Sequence, residues 1–501
     1  MDSRICIPIC ATSAEELLAK YQRAALSADL IEIRLDCLAA EELQPVLAVV
    51  KSIQKATKLP IILTRRIFEQ GGASEFNGQA ASKFWQQLNI GEALCDLEGE
   101  WLANLSQLPQ PAEQIIASHH DFQATPDDLE TIYDNLKSTA AGILKIAVTA
   151  LDITDCLAIF RLLQRAKLEE QRLIALAMGE SGILTRILGP AYGSWLTFAP
   201  LNGQQQTAPG QLRATELLEL YRFPQITKET PVYGLIGWPV SHSFSPQIHN
   251  KALIATNLAG VYLPLAVRDL GTFIHRMVRP KTREIDWDLR GLSITAPHKQ
   301  AIIPYLDHIS PEAQTIGAVN TVVIKDNALV GYNTDVIGFV SPLQQLVGDL
   351  RDARCLVLGA GGAARCALWA LRQAGAIVFL SARDETKAKK LTVEFGISVE
   401  AWSAPLSQYD IVVNATTLGA RGLYQNETPA TAAQLSGVRL AYDLVYNPPL
   451  TPFLLAAQAA GCAVLGGLPM LVAQAAAQFS LWTGHNAPLE LMQQAARDAI
   501  S

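Results

Sequence analysis

Short apolar runs rich in β-branched residues recur through the first two hundred positions, and most are followed by a stretch with apolar residues at three-and-four spacing. The runs are RICIPIC (4–10), LIEIRLD (30–36), PIILTRR (60–66), ALCDLEG (93–99), QIIASHH (114–120), GILKIAV (142–148), LIALAMG (173–179) and SWLTFAP (194–200). Most starts are about 26 to 33 residues apart, the length of a strand plus a crossover helix. SAEELLAKYQRAAL (13–26) and DCLAIFRLLQRAKL (155–168) carry the helical period. Eight near-continuously apolar strands alternating with helices predict a closed parallel (β/α)8 barrel, because such strands are covered on both faces. An open doubly wound sheet fits less well: eight strands in about 220 residues match the compact barrel.

The pattern breaks at FPQITKETPVYG (223–234), a polar stretch with two prolines, and restarts at VYGLIGWPV. This marks a linker between two halves. In the second half, ARCLVLGAGGAARCALWALRQAGAIVFLSARDETKAKK (353–390) reads as strand, glycine-rich turn, helix, strand. The overall expectation is an α/β protein: a barrel over 1–222, a substrate domain from 235–345 with 467–501, and a Rossmann-like dinucleotide-binding domain over 346–466.

Composition narrows the function classes. Half of the 501 residues are hydrophobic and 17% are charged, which excludes a disordered chain. Forty Lys and Arg against 47 Asp and Glu leave a net charge of −7, with no basic excess for nucleic acid. No run reaches the ~18–20 apolar residues of a membrane span. The eight cysteines (6, 10, 37, 95, 156, 355, 366 and 462) form no CxxC pair and are expected as free thiols of a reducing compartment. MDSRICIPIC has no secretory pattern, so a cytoplasmic location is expected; a trimmed plastid stromal form would read the same.

In a barrel of this kind the chemistry sits at the C-terminal strand ends. Glu32, Arg34 and Asp36 end the second run, Arg65 and Arg66 the third, and His119 and His120 the fifth; Arg186 follows the seventh, and Thr207 and Gln211 follow the eighth. Lys145 interrupts an apolar strand. A buried lysine is costly, and a neutral amine in such a wall can attack a ketone; a strand-end lysine that reaches water is the plain alternative. His120 is the natural general base, or else a satisfied structural histidine. Three arginines around one lysine suggest a carboxylate-bearing substrate rather than surface ion pairs.

EIRLD, TRRIFEQGG, SHHDF, LKIAV, MGESGILTR and TAPGQ, in that order, resemble type I 3-dehydroquinate dehydratase over residues 1–222. The resemblance implies a covalent imine between Lys145 and the substrate ketone. His120 would move the proton, Arg186 would hold the carboxylate, and Glu32, Arg34, Arg66, Thr207 and Gln211 would surround the ring hydroxyls. Gln70 stands where the family usually has Glu. An amide still orients a histidine but does not stabilise its cation as a carboxylate does, so a weakened base is expected.

In the second half, the glycines of GAGGA (Gly359, Ala360, Gly361, Gly362, Ala363) let backbone amides approach a pyrophosphate. Arg383 and Lys387 at the next strand tip favour a 2′-phosphate, hence NADP, whereas Asp384 keeps NAD open. SHSFSP (241–246), SITAPHK (293–299), GAVNT (317–321) and GYNTDVIG (331–338) supply hydroxyls, an amide, a lysine and an aspartate; singly, each reads as a turn or a cap. Together with NATTLG (414–419), DLVYNPPLTP (443–452) and GLPMLVAQAA (467–476), they resemble shikimate dehydrogenase over roughly 230–501.

That resemblance implies Ser243 and Ser245 on the substrate carboxylate, with Thr295 and Asn320 on ring hydroxyls. It implies Lys299 with Asp335 at the reacting oxygen, Tyr446 and Gln474 near substrate, and Thr416, Gly467 and Met470 at the cofactor. Ser293 replaces a common Asn, and Ala382 and Asp384 depart from an Asn-Arg-Thr signature. The expected partners are then 3-dehydroquinate and 3-dehydroshikimate, with NADPH as cofactor, and no metal, nucleic acid or membrane. An NAD-linked quinate/shikimate dehydrogenase is the rival for the second half. A non-catalytic ligand-binding regulator would have shed Lys145, His120, Lys299 or Asp335, and all four are present.

Overall fold

The computed structural model describes residues 3–72, 78–105, 107–201, 208–402, 405–422 and 424–500. The chain folds as two compact units. One comprises Met1–Pro231, Pro239–Ser241 and Leu263–Asp288; the other comprises Val232–Trp238, His242–Tyr262 and Leu289–Ser501.

The first unit is built on β1 (Ile5–Cys10), β2 (Leu30–Arg34), β3 (Ile61–Thr64), β4 (Leu94–Glu98), β5 (Ile115–His120), β6 (Ile143–Thr149), β7 (Arg172–Met178) and β8 (Thr197–Phe198). They pair in the order β7-β6-β5-β4-β3-β2-β1-β8, every pair parallel. A bridge between Leu173 and Ser194 links the two ends, so the barrel is nearly closed. The last strand is shorter than the run 194–200 suggests. Trp195 N–H donates to Leu173 (2.8 Å) and Thr197 N–H to Arg4 (2.9 Å), so the segment passes from β7 to β1 and leaves two residues in regular pairing.

Side chains alternate along a strand, so every second residue faces the barrel interior. Cys6, Leu30, Ile62, Ile116, Ile143 and Ile174 form an apolar floor. Two residues further along the same strands stand Glu32, Thr64, Ser118 and Lys145, all buried, with Asp96 from β4. The strand period thus turns an apolar wall into a polar layer within a few ångströms.

The eight cysteines are not all free. Cys10 and Cys37 are disulfide-bonded, with Cα atoms 5.5 Å apart, whereas the other six are buried free thiols. Parallel pairing of β1 with β2 sets Cys10 opposite Arg34, and the short turn Leu35–Cys37 returns the second thiol to the first. Sequence spacing does not show this, because the two residues are 27 apart.

Two further six-stranded sheets follow. The mixed sheet runs β10 (Val261–Ala266), β9 (Pro231–Gly237), β11 (Asp288–Ile294), β13 (Thr321–Lys325), β14 (Ala328–Tyr332), β12 (His308–Ile309). The other runs β17 (Ser398–Val399), β16 (Ile377–Ser381), β15 (Arg354–Leu358), β18 (Ile411–Asn414), β19 (Leu440–Asp443), β20 (Ala463–Leu465), and all its pairs are parallel. In chain order this is 3-2-1-4-5-6, the doubly wound dinucleotide-binding arrangement, with its crevice where β15 meets β18. Cys355 and Val357 pack on one face and Leu356 and Leu358 on the other, which is why the strand reads as unbroken apolar residues. Among the described residues no helix is long and apolar enough to cross a membrane.

Candidate active sites

The barrel mouth holds one cavity lined by Lys145, His120, Arg34, Arg66, Arg186 and Gln211, among others. Lys145 is 6% exposed, and its Nζ lies 2.7 Å from Asp96 Oδ2 and 4.4 Å from the centre of the Phe198 ring. The same carboxylate oxygen pairs with Arg66 Nη2 at 2.7 Å, while Arg66 Nη1 reaches Ser118 Oγ (2.8 Å) and Glu98 (3.2 Å). Burial alone would raise the Asp96 carboxyl. The charges of Arg66 and Lys145, with the hydrogen bond from Lys145, override it and hold the group well below the usual carboxylate range.

Asp96 escaped the reading of single strands. It breaks ALCDLEG as Lys145 breaks GILKIAV, and that parallel is the signal that could have found it.

Burial, then the positive charges of Arg66 and Lys145, push the His120 imidazole well below its ordinary value, so it stands neutral. Its tautomer follows from one contact. The His120 backbone N–H donates to Gln70 Oε1 at 3.1 Å, which fixes that atom as oxygen, and the same oxygen lies 3.0 Å from Nδ1. Nδ1 must therefore carry the hydrogen, and Nε2 keeps the lone pair. Gly71 makes the turn that presents Gln70: its φ is +77°, and a Cβ there would lie 2.5 Å from the Phe122 ring, which stacks on His120. His119, one residue earlier, points to the opposite face of β5 by the strand alternation.

Arg34 is held by a two-pronged bond to Asp36 (2.9 and 2.7 Å), and Glu32 accepts from Thr64 Oγ1 (2.7 Å). Arg186 differs from both. It is 2% exposed, donates to Pro209 O (3.2 Å), has no hydrogen-bond partner on Nε and no ion pair among the described residues. Burial pushes its guanidinium down to about 10. A buried cation without a counter-charge favours an anionic ligand. Gln211 lines the same cavity, and Thr207 lies outside the described residues.

In the second unit, Lys299 Nζ lies 2.5 Å from Asp335 Oδ2. Asp335 opens the helix Asp335–Val347, and its other oxygen accepts from Asn320 Nδ2 at 2.8 Å. Asn320, 2% exposed, also meets Gln474 Oε1 (3.4 Å) from the helix Leu468–Thr483. Thr295 follows β11, its backbone N–H on Ile236 O (2.9 Å). Ser243 Oγ lies 3.1 Å from Ser245 Oγ, and the ring of Phe244 between them meets Tyr446 edge-on at 5.6 Å. Ser293, where an Asn is usual, spends its hydroxyl internally on Tyr262 (2.7 Å) and Gln478 (2.8 Å).

The glycine-rich turn is shaped for close approach. Gly359 has φ +118°, and a Cβ there would strike Ala415 O at 2.9 Å. At Gly361 a Cβ would meet nothing within 4 Å, and at Gly362 only Lys299 Cδ at 3.9 Å. An open concavity at the start of the helix Gly362–Gln373, flanked by Ala360 and Ala363 and bordering Lys299, suits a phosphate-bearing cofactor. Thr416 is tied to Asn414 Oδ1 by its N–H (3.0 Å) and its hydroxyl (2.6 Å).

Arg383 is exposed, whereas Asp384 is engaged: it caps the helix Glu385–Phe395 by accepting from Lys387 N–H (3.0 Å) and pairs with Lys387 Nζ (3.2 Å). Gly467 hugs Leu444 O, and Met470 packs into the core beneath the turn. Among the described residues no cluster of His, Cys, Asp and Glu has the makings of a metal site.

A barrel with a buried lysine beside a neutral histidine, joined to a dinucleotide fold with a Lys–Asp pair at its crevice, defines a two-part enzyme, a lyase with an oxidoreductase. The family model for type I 3-dehydroquinase matches residues 5–228; those for the shikimate dehydrogenase substrate binding domain and the shikimate 5′-dehydrogenase C-terminal domain match 235–322 and 467–497. The chloroplastic bifunctional 3-dehydroquinate dehydratase/shikimate dehydrogenase of Arabidopsis thaliana is 34% identical over 520 residues, covering 98% of this chain and 84% of the plant protein. The chain belongs to the family of bifunctional 3-dehydroquinate dehydratase/shikimate dehydrogenases. Its second half is also 42% identical to the shikimate dehydrogenase (NADP(+)) of Oleidesulfovibrio alaskensis over 286 residues, covering 56% of this chain and 98% of that one. A crystal structure of a shikimate dehydrogenase in complex with NADP+ superimposes with a TM-score of 0.51 at 35% identity, covering 54% of this chain and 96% of the other.

Proposed function

We propose that the chain dehydrates 3-dehydroquinate to 3-dehydroshikimate in the barrel and reduces that product to shikimate with NADPH in the second half. The observation that carries the first step is Lys145, buried in the barrel wall against Asp96 and sharing a cavity with a neutral His120 and an unpaired Arg186.

His120 Nε2 takes a proton from the Lys145 ammonium, the freed amine adds to the ketone, and return of that proton to the carbinolamine oxygen releases water and leaves an iminium whose charge Asp96 balances. His120 Nε2 then takes the proton from the carbon next to the former ketone, and the C–H electron pair neutralises the iminium as an enamine. The enamine expels the β-hydroxyl, which leaves as water with the proton from His120. Hydrolysis of the remaining iminium frees the product and Lys145. Arg186 pairs with the substrate carboxylate; Glu32, Arg34, Arg66, Gln211 and Thr207 take the ring hydroxyls.

In the second half a nicotinamide cofactor would supply a hydride. Lys299 donates the proton to the carbonyl oxygen, and Asp335 with Asn320 holds the ammonium in place. Ser243 and Ser245 would take the carboxylate, Thr295, Tyr446 and Gln474 the ring, and Gly359 to Ala363, Thr416, Gly467 and Met470 the cofactor. Arg383, with Lys387 beside it, would take the 2′-phosphate, and the use of Asp384 as a helix cap supports NADP over NAD. We assign the barrel to 1–222, the linker to 223–234, the substrate domain to 235–345 with 467–501 and the cofactor domain to 346–466. The working compartment is the cytoplasm or a plastid stroma, with small molecules rather than nucleic acid or membrane as partners.

The test is to supply 3-dehydroquinate as the only carbon substrate and follow NADPH oxidation, with NADH in parallel. NADPH oxidation is expected. Oxidation of NADH alone would move the second half to the NAD-linked quinate/shikimate dehydrogenases, and rescue only by 3-dehydroshikimate would place the fault in the barrel.

A further inference from the structure

One buried amide holds the loop that follows β18, and two backbone groups fix which way round it stands. Asn414, 0% exposed, ends β18 opposite Asp443 at the end of β19. Its Oδ1 takes the Thr416 N–H (3.0 Å), and a backbone N–H only donates. Its Nδ2 gives to Leu418 O (3.2 Å), and a carbonyl only accepts. The second N–H of the amide goes to Asp443 Oδ1 at 2.9 Å. Asp443 is itself held by the Val445 N–H (3.0 Å) and the Thr451 hydroxyl, so the amide has a fixed anchor.

The Thr416 hydroxyl is then determined as well. Its oxygen accepts from the Leu418 N–H (3.1 Å) and lies 2.6 Å from Asn414 Oδ1, which is an acceptor. The hydroxyl proton therefore points to Asn414, and none is left to donate to a ligand. The methyl side of Thr416 is turned to the glycine-rich turn: a Cβ on Gly359 would meet Ala415 O at 2.9 Å and Thr416 Cγ2 at 3.1 Å. Residues 415–418 thus form one wall against the first glycine of that turn, at the crevice between β15 and β18.

We propose that Asn414 is a positioning residue for the dinucleotide: it reaches no ligand itself, but clamps residues 415–418 against the glycine-rich turn and so sets the shape of the cofactor crevice. This rests on the reading of that crevice as the NADP site. Thr416 serves the same clamp with its hydroxyl rather than hydrogen-bonding the cofactor through it.

The experiment follows NADPH oxidation by the full chain at saturating 3-dehydroshikimate, with the dehydratase activity of each preparation used to count intact enzyme. Asn414→Ala should raise the KM for NADPH about tenfold or more and leave kcat within about threefold, since several neutral hydrogen bonds are lost away from the reacting atoms. Thr416→Val keeps the shape and loses the hydroxyl; it should raise the same KM about three- to tenfold, the factor one such bond is worth. Thr416→Ser should recover most of that loss. In an Asn414→Ala background, Thr416→Val should add less than about twofold, because the partner of the hydroxyl is already gone. Asn414→Ser, whose hydroxyl can still accept the Thr416 N–H, takes the place of alanine in the cycle if that variant folds poorly, with the same expectation. Factors that multiply would put the hydroxyl on the cofactor and overturn the clamp, as would an unchanged KM in the Asn414 variants. If NADH rather than NADPH saturates the wild type, the NADP reading fails, and the same cycle run on NADH still decides the clamp.

Discussion

One oxygen of Gln70 meets both the backbone N–H and the ring Nδ1 of His120, at 3.1 and 3.0 Å. The amide thereby selects the tautomer that leaves Nε2 basic, without adding a negative charge. The base is neutral because burial and the cations of Arg66 and Lys145 disfavour its protonation.

The acid limb of dehydratase kcat/KM should therefore lie under the ordinary histidine range. Gln70→Glu places a carboxylate on Nδ1–H, which favours the imidazolium and raises the histidine pKa. The limb should move up by about one pH unit or more. Gln70→Ala releases the tautomer and should lower kcat roughly tenfold. A pH profile identical in wild type and Gln70→Glu would show that the proton taker is not His120.

The two lysines should separate the two activities. Lys145→Ala should lose dehydration and the mass increase seen on borohydride trapping with 3-dehydroquinate, yet still reduce added 3-dehydroshikimate. Lys299→Ala should do the reverse. Loss of both activities in either folded variant would contradict independent sites.

At the cofactor, Arg383→Ala should raise the KM for NADPH about tenfold or more and leave that for NADH nearly unchanged, because only the 2′-phosphate would feel the lost charge. Asp384→Ala should act on stability instead, lowering it through the lost helix cap. Cofactor titrations and thermal melts of the two variants separate these effects.

Asp443 gives a pH dependence of stability. Burial raises its carboxyl to about 6, against the bonds from Thr451, Val445 N–H and Asn414 that favour the ion. The folded chain holds this proton more tightly than the unfolded one. Its contribution is therefore fully present below about pH 4 and is lost as the pH rises through about 6. The loss is on the order of 3 kcal/mol, at about 1.4 kcal/mol per pH unit. Asp443→Asn should flatten the denaturant midpoint of the second half across that range; an unaltered slope would count against the assignment.

Much of this was legible in the residues because it is local. The period of two marks strands, glycine spacing marks the phosphate-binding turn, and a lysine inside GILKIAV is anomalous in any sequence. Lys145 and His120 stood out in the chain itself, Lys299 and Asp335 through the resemblance to shikimate dehydrogenase, and the structure pairs Lys299 with Asp335 and sets Lys145 and His120 in one cavity.

What closure of the sheets decided is which distant residues share a charge or a proton. Asp96 is one acid inside an apolar run until the barrel sets it against Arg66, 30 positions back, and Lys145, 49 ahead. Cys10 and Cys37 join only because β1 lies beside β2. The buried hydrogen bonds from Tyr262 to Ser293 and from Ser293 to Gln478 join three separate elements. A strand's alternation says which side chains face inward; who meets them is settled by strand order and register, which arise from the packing of the whole.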